Sequence, residues 1–532
     1  MNPRSRLGQS RASDDTVLWL LAGATLALHF LFNGRYGYWI DELYFMACGD
    51  HLAWGYVDQP PLIAVVAKVT RWLLGDSLFA IRFFPAVAGA LLVYLTGRIA
   101  RQLGGGRFAQ VLAAIAVIVV PVFLAFNNLL TMNAFEPLLW TLCTYTVIVI
   151  IKTDRRPLWL VVGAIAGVAL LNKYSVAFFG ACLIAGLLLT PERRLLRSRW
   201  SLLGALVAGV ILLPNLLWEM AWGWPTVELM RNAKLYQYQP VTPGEFLLGQ
   251  LQTMHPFTLP LWLAGLGFYL FAAAGRRFRA LGWTFVIFFS VSLLGQAKTY
   301  YLAPIYPMLF AAGSVATERF SQRRGWNWLR PATVAFLLIG GSITVPFVLP
   351  VLPIETLPRY LALLKTKEVR PETRKQGEIP QLFADMFAWP ETVAAVAKAY
   401  EGLTPDEKSR CAIWGGSYGD ASAVDLLGRT FGLPKAISGH QNYYLWGPHD
   451  YSGDVMITIN IPGESLKPWF EHVDLAAIVS CEYCMPDRAR IPIHVCRGLK
   501  QPLKEFWPEV KCWTCDAPAF ARHPPDASDS IR

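Results

Sequence analysis

Three carboxylates stand close together early in the chain: the pair Asp41-Glu42 and, further along the same stretch, Asp58. Tyr38, Trp39, Tyr44, Trp54 and Tyr56 lie among them, and the stretch ends in Gln59-Pro60-Pro61-Leu62. It follows directly on the first apolar segment, which puts these acids at a membrane surface. An ionised carboxylate beside hydrocarbon costs at least a few kcal/mol, so such a residue is rarely there by accident. Two readings of the acid pair are open. The dipole at a helix start favours acids. Alternatively, a carboxylate at a membrane face acts as a general base that takes a proton from a hydroxyl or an amine. Asp41 is the candidate base. The two prolines fix the chain's direction as it re-enters a helix, because proline is tolerated in a first turn.

The elements that must position these groups are membrane spans. Of 532 residues, 54% are hydrophobic and only 16% are charged, with a mean hydropathy of +0.36. A soluble chain carries about 25% charged residues, so the composition predicts a multi-pass α-helical membrane protein. A crossing needs about 20 apolar residues. About eleven runs qualify, at 16–33, 79–100, 107–126, 134–151, 157–172, 174–190, 200–218, 250–274, 279–296, 300–317 and 331–351. The first is followed by many others and lacks a clear small-x-small cleavage site, which predicts a retained span rather than a signal peptide.

Charge orients the spans. Arg4, Arg6 and Arg11 precede the first; Arg98, Arg101 and Arg107, then Lys152, Arg155 and Arg156, then Arg193, Arg194, Arg197 and Arg199 fill alternate loops. The alternation continues with Arg276, Arg277 and Arg279 and with Arg319, Arg323 and Arg324. This positive-inside pattern puts the N-terminus in the cytoplasm and the Asp41 stretch and the C-terminal region outside. Basic loops and contact with anionic lipid account for the net charge of +11 without nucleic acid. The expected organisation is a membrane domain over 1–351, with an outer interfacial loop at 34–78, and a second domain over 352–532. In that domain 391–402 and 420–431 read as helices. Residues 411–415, 455–461 and 474–480 read as strands, with a short helix between the last two, an α/β pattern. The tail after Pro518 is rich in Pro, Asp and Ser and predicts disorder.

An Asp-Glu pair early in the first outer loop, followed by Gly55-Tyr56-x-x-x-Pro60-Pro61-Leu62, resembles the polyprenyl-phosphate-sugar glycosyltransferases of the GT-C fold. The nearest groups are the bacterial aminoarabinose transferases and the protein mannosyltransferases, and the likeness covers roughly residues 16–350. The resemblance implies inverting transfer from a lipid-phosphate sugar by a base on the outer face, with Asp41 at the family's catalytic aspartate. Two positions depart from it. Aminoarabinose transferases carry Arg three residues after the aspartate, where this chain has Tyr44. They carry Glu-Lys before Pro-Pro, where this chain has Asp58-Gln59. Both changes remove a cation that would face the donor's phosphate.

Other residues are candidates to replace it. Lys298 opens Lys-Thr-Tyr-Tyr-Leu-Ala-Pro, which resembles a lysine-containing Tyr-x-x-Pro segment of the family. It would supply a point charge for phosphate, and Tyr301 a hydrogen bond; the alternative is a snorkelling anchor. Lys173 and Arg82 are further candidates, with anchoring as the equal alternative. Relatives place an Asp near Asn133, and Glu136 one helical turn on can carry that charge; the alternative is a polar turn favoured by Asn. His255 reads as an interfacial residue rather than a ligand. Cys481-x-x-Cys484 and Cys512-x-x-Cys515 have zinc-ribbon spacing, but an outer location favours disulfides, and Cys411 and Cys496 bring the domain's cysteines to six.

The expected activity is therefore glycosyl transfer at the bacterial inner membrane. The donor is a polyprenyl-phosphate sugar and the acceptor an envelope lipid, glycan or protein. No cofactor is expected, and a divalent metal is left open. No P-loop or dinucleotide glycine pattern occurs. A lipid or oligosaccharide flippase is the alternative of another class, although transporters place polar groups near mid-membrane. An inactive scaffold relative is a third.

Overall fold

The computed structural model of the protein describes residues 3–364, 375, 377–514 and 520. Most of the described chain is helical, with a five-stranded sheet near its C-terminal end. Two compact units form. One gathers the described residues of 1–35, 70–217 and 240–371, and the other those of 36–69, 218–239 and 372–532.

Among the described residues, six helices are long and apolar enough to cross a membrane: Asp15–Phe32, Leu78–Gln102, Met132–Thr153, Arg199–Ala221, Ala273–Leu294 and Leu329–Phe347. Arg107–Val119 and Pro121–Asn127, bent by 68°, make a seventh if the pair is one span. The bend falls at Pro121, which lacks the N–H that would continue the helix. Arg156–Asn172, Ser175–Leu188 and Pro256–Leu270 are apolar but shorter. This is fewer full-length spans than the eleven runs predict, and two departures have clear causes. The run 250–274 breaks at His255-Pro256, where His255 has φ 74°, leaving Pro243–Met254 and Leu259–Leu270 as separate helices. The run 300–317 opens with a 3-10 turn, Thr299–Ile305, and its helix Tyr306–Arg324 ends in the charges Glu318, Arg319, Arg323 and Arg324.

The first unit packs through small residues, which let helices approach where lipid supplies no hydrophobic drive. A Cβ on Gly265 would collide with the Leu309 carbonyl, and one on Gly313 with the Leu261 carbonyl, so Leu259–Leu270 and Tyr306–Arg324 meet backbone to backbone. Buried Glu318 accepts the Gly106 and Ala109 N–H groups at 2.6 and 3.3 Å, satisfying the start of Arg107–Val119. Arg82 is fully buried and donates to the Asn33 carbonyl at 2.7 Å, just beyond the helix Pro3–Phe32. That bond gives Arg82 a structural task.

In the second unit the strands are β1 (Cys411–Gly415), β2 (Ala436–Ile437), β3 (Val455–Ile459), β4 (Phe470–Ser480) and β5 (Arg490–Leu499), in the order β2-β1-β3-β5-β4. β1 pairs parallel with β2 and β3, whereas β5 runs antiparallel to β3 and β4. The helices Trp389–Glu401 and Tyr418–Leu427 lie close to the expected 391–402 and 420–431. An aromatic cluster including Trp414, Trp469, Phe470, Phe506, Trp507 and Phe520 fills part of the core.

Cys481 and Cys484 are joined by a disulfide, and Cys512 is also disulfide-bonded. Cys411 and Cys496 are free and buried, on β1 and β5 with β3 between them, so the count of six does not make three bridges. Cys515 and, apart from Phe520, the tail after Pro518 lie outside the described residues.

Candidate active site

Asp41 is half-buried in the first turn of the helix Ile40–Asp50. Its neighbour Glu42 is fully buried and accepts the Trp39 N–H at 2.9 Å. Glu42 thus serves the helix start, while the Asp41 side chain is bonded elsewhere in the second unit. Its Oδ1 accepts the Tyr418 hydroxyl at 2.6 Å. Burial, followed by the charge of Asp41, pushes the Tyr418 phenol well above its ordinary value, so it stays protonated and donates.

The turn that delivers Tyr418 is built from glycines. A Cβ on Gly415 would crowd the Ala421 N–H at 2.5 Å, and one on Gly416 would sit 2.7 Å from the Ile459 carbonyl. The chain therefore passes from β1 to the next helix without room for side chains. Ser417 caps that helix: its Oγ accepts the Asp420 N–H at 3.2 Å, and Asp420 accepts the Ser417 hydroxyl at 2.7 Å. Asp420 is also held by Arg488 at 2.6 Å, with side-chain exposures of 0% and 4%. Gly419 packs on Ile40, where a Cβ would clash, which seats the helix start directly against Ile40–Asp50.

β1 is the point where the order of parallel strands reverses, and in open α/β sheets the crevice beyond the strand ends at such a point is where ligands bind. Here residues 36–69 meet that edge. Tyr418 follows β1 and His440 follows β2; their rings are 4.9 Å apart, and the Tyr418 N–H faces His440 Nδ1 at 3.4 Å. Asn442 accepts the Val57 N–H at 2.8 Å. Arg429 pairs with Asp50 at 2.7 Å, and His51 stacks on Trp446 at 4.4 Å.

The two departures from the family pattern meet one another. Tyr44 donates its hydroxyl to Asp58 Oδ1 at 2.9 Å, and its ring lies 4.8 Å from that of Tyr418. Burial raises the Asp58 carboxyl from its ordinary 3.8 to about 6, against the lowering effect of the Tyr44 bond. Gln59 is buried with its amide 3.8 Å from Cys48 Sγ.

In the first unit, three of the candidates, Asn133, Glu136 and Tyr301, converge on a fourth, Lys173. Lys173 Nζ donates to Asn133 Oδ1 at 2.7 Å and to Glu136 Oε2 at 3.0 Å, and lies 4.8 and 5.4 Å from the ring centres of Tyr301 and Tyr300. Ser175 donates to the other oxygen of Glu136. Thr131 starts the helix Met132–Thr153 by accepting the Asn133 N–H, which fixes Asn133 and Glu136 on its first turns. Lys298 immediately precedes the turn Thr299–Ile305; the cation over Tyr300 and Tyr301 is Lys173. His255 is buried and accepts the Phe257 N–H through Nδ1 at 3.0 Å, a helix-end role. Among the described residues, no group of three or more His, Cys, Asp or Glu gathers as metal ligands.

Residues 58–218 match the family described as dolichyl-phosphate-mannose-protein mannosyltransferase, a span that begins after Asp41. The lipid A galacturonosyltransferase RgtD of Rhizobium johnstonii is 28% identical over 191 residues, covering 34% of this chain and 38% of RgtD. The chain thus aligns with well under half of that relative's length. The fold is similar to ArnT from Cupriavidus metallidurans bound to undecaprenyl phosphate, with TM-score 0.61 and 15% identity over 90% of this chain and 97% of ArnT. The apo state of ArnT gives 0.60 and 16% over 91% and 98%. These matches bear out the resemblance at the level of fold: the chain has an ArnT-like GT-C fold.

Proposed function

We propose that the protein is an inverting glycosyltransferase of the bacterial inner membrane, moving a sugar from a polyprenyl-phosphate donor to an envelope lipid, glycan or protein on the outer face. The observation that carries this reading is the fold match over 90% of the chain to a protein whose structure holds undecaprenyl phosphate. Asp41 takes the proton of the acceptor's hydroxyl or amine. The freed lone pair attacks the anomeric carbon opposite the phosphate, the carbon–oxygen bond to phosphate breaks, and the lipid leaves as a phosphate monoester. That leaving group is already good, so the protein mainly positions and deprotonates. Lys173 supplies positive charge for an anionic group, a task that Tyr44 and Gln59 do not perform.

In the proposed topology the seven long or bent crossings are joined by Arg156–Asn172, Ser175–Leu188, Pro256–Leu270 and Tyr306–Arg324 to make eleven, with the sheet outside. The test is mass spectrometry of envelope lipids and glycans from cells with and without the protein. A species heavier by one glycosyl residue, present only with the protein, is expected. Identical envelopes would refute the reading, and sugar-lipid movement across vesicles without a glycosylated product would favour a flippase.

A further inference from the structure

Tyr418 belongs to the sheet-bearing C-terminal part of the chain, far in sequence from the acid pair, and nothing in the comparisons assigns it a role. Three observations converge on it. It makes a 2.6 Å hydrogen bond to Asp41. Its backbone is fixed on both sides, by the Gly415-Gly416 turn and by the Ser417–Asp420 cap anchored to buried Arg488. Its ring is held between Tyr44 at 4.8 Å and His440 at 4.9 Å. A side chain constrained in this way reports its position to whatever it touches, and it touches the candidate base.

We propose that Tyr418 is a positioning residue for Asp41, through which the C-terminal sheet sets the orientation and the ionisation of that carboxylate. The proposal rests on the assignment of Asp41 as base only for its consequence in turnover; the coupling itself is testable without substrate. A hydroxyl donating to a carboxylate stabilises the charged form. The Tyr418 hydroxyl therefore keeps Asp41 ionised to lower pH, and holding Oδ1 fixes the plane in which the carboxylate meets an incoming proton. The other titratable groups around the pair are Glu42 and Tyr44 on Asp41's own helix, Asp58 on the following loop, Asp385 ahead of the helix Trp389–Glu401, and His440 after β2. The nearby carboxylates Asp58 and Asp385 add to the charge that keeps the phenol protonated.

The experiment is a pH titration of the purified full-length protein in detergent by infrared difference spectroscopy. The Asp41 carboxylate band is isolated by subtracting the Asp41→Asn spectrum in each background. Tyr418→Phe removes one oxygen and is expected to raise the Asp41 midpoint by about one pH unit, the size of a lost hydrogen bond to a charged acceptor. Incorporating 3-fluorotyrosine at position 418 strengthens the donor and is expected to move the midpoint the other way. A Phe variant that misfolds leaves the fluorotyrosine arm to decide. If both folded variants titrate with the wild type, the proposal is overturned, whatever Asp41 does in turnover. If the midpoints move but Asp41→Asn cells still make the glycosylated product, the positioning stands and the base assignment falls.

Discussion

Lys173 is the one candidate whose structural and functional tasks separate cleanly by mutation. Its ammonium donates two hydrogen bonds, at 2.7 Å to Asn133 and 3.0 Å to Glu136, and Glu136 is almost fully enclosed, with a side-chain exposure of 4%. Lys173→Met keeps the length of the stem and leaves the Glu136 carboxylate with Ser175 as its remaining described partner. Removing one member of a buried pair leaves an uncompensated charge and costs about 3–5 kcal/mol. Lys173→Met/Glu136→Gln removes both charges and keeps an acceptor for Ser175, so most of that loss is expected to return. Thermal unfolding in detergent measures the four proteins of the cycle, and envelope mass spectrometry measures their product. A stable double variant that makes no product is the predicted outcome. A single variant as stable as the wild type refutes the ion-pair reasoning. A double variant with wild-type product refutes the role in binding an anion.

Asp58 carries a pH signature. Its folded pKa of about 6 lies above its ordinary 3.8, so the folded state binds the extra proton between those values, and stability falls as pH rises through that window. Asp58→Asn is expected to flatten that slope and to stabilise the protein at pH 7 by up to about 3 kcal/mol, read from unfolding midpoints at pH 4.5 and 7. Arg488→Met breaks a pair that is 4% and 0% exposed and removes the cation 4.1 Å from the Trp389 ring centre; a loss of about 3–5 kcal/mol is expected. Limited proteolysis of the C-terminal part reports it, and wild-type resistance would contradict it.

Hydropathy made much of the helical layout legible, because a helix in lipid must be apolar over its whole crossing length. It does not show the break at His255-Pro256 within 250–274, where the backbone leaves the helix. Strands 455–461 and 474–480 stand out as apolar and β-branched, and 411–415 reads as a short apolar strand. β2 escaped because Ala436–Ile437 is only two residues long, and β5 because Pro492 lies within it. Asp41 was legible from its surroundings. Tyr418 was not, because its partner lies 377 positions earlier and local spacing carries no trace of such a contact. Lys173 is a candidate in the sequence, but its link to Asn133, 40 positions away, leaves no local trace, and the tyrosine-rich turn points to Lys298 instead. Tyr44 reads as the loss of a positive charge from the family pattern, and Asp58 as a conservative change from Glu. In three dimensions they form a hydrogen-bonded pair whose existence neither position announces alone.

In the proposed mechanism the carboxylate at position 41 is the proton acceptor in glycosyl transfer. Asp41→Asn keeps an oxygen for the Tyr418 hydroxyl and removes the basic site, so it tests the chemistry with little change of shape. With the variant present in membranes at wild-type abundance, the glycosylated envelope species is expected to fall by about 10²- to 10⁴-fold in mass spectrometry. The same species at the wild-type level would contradict it.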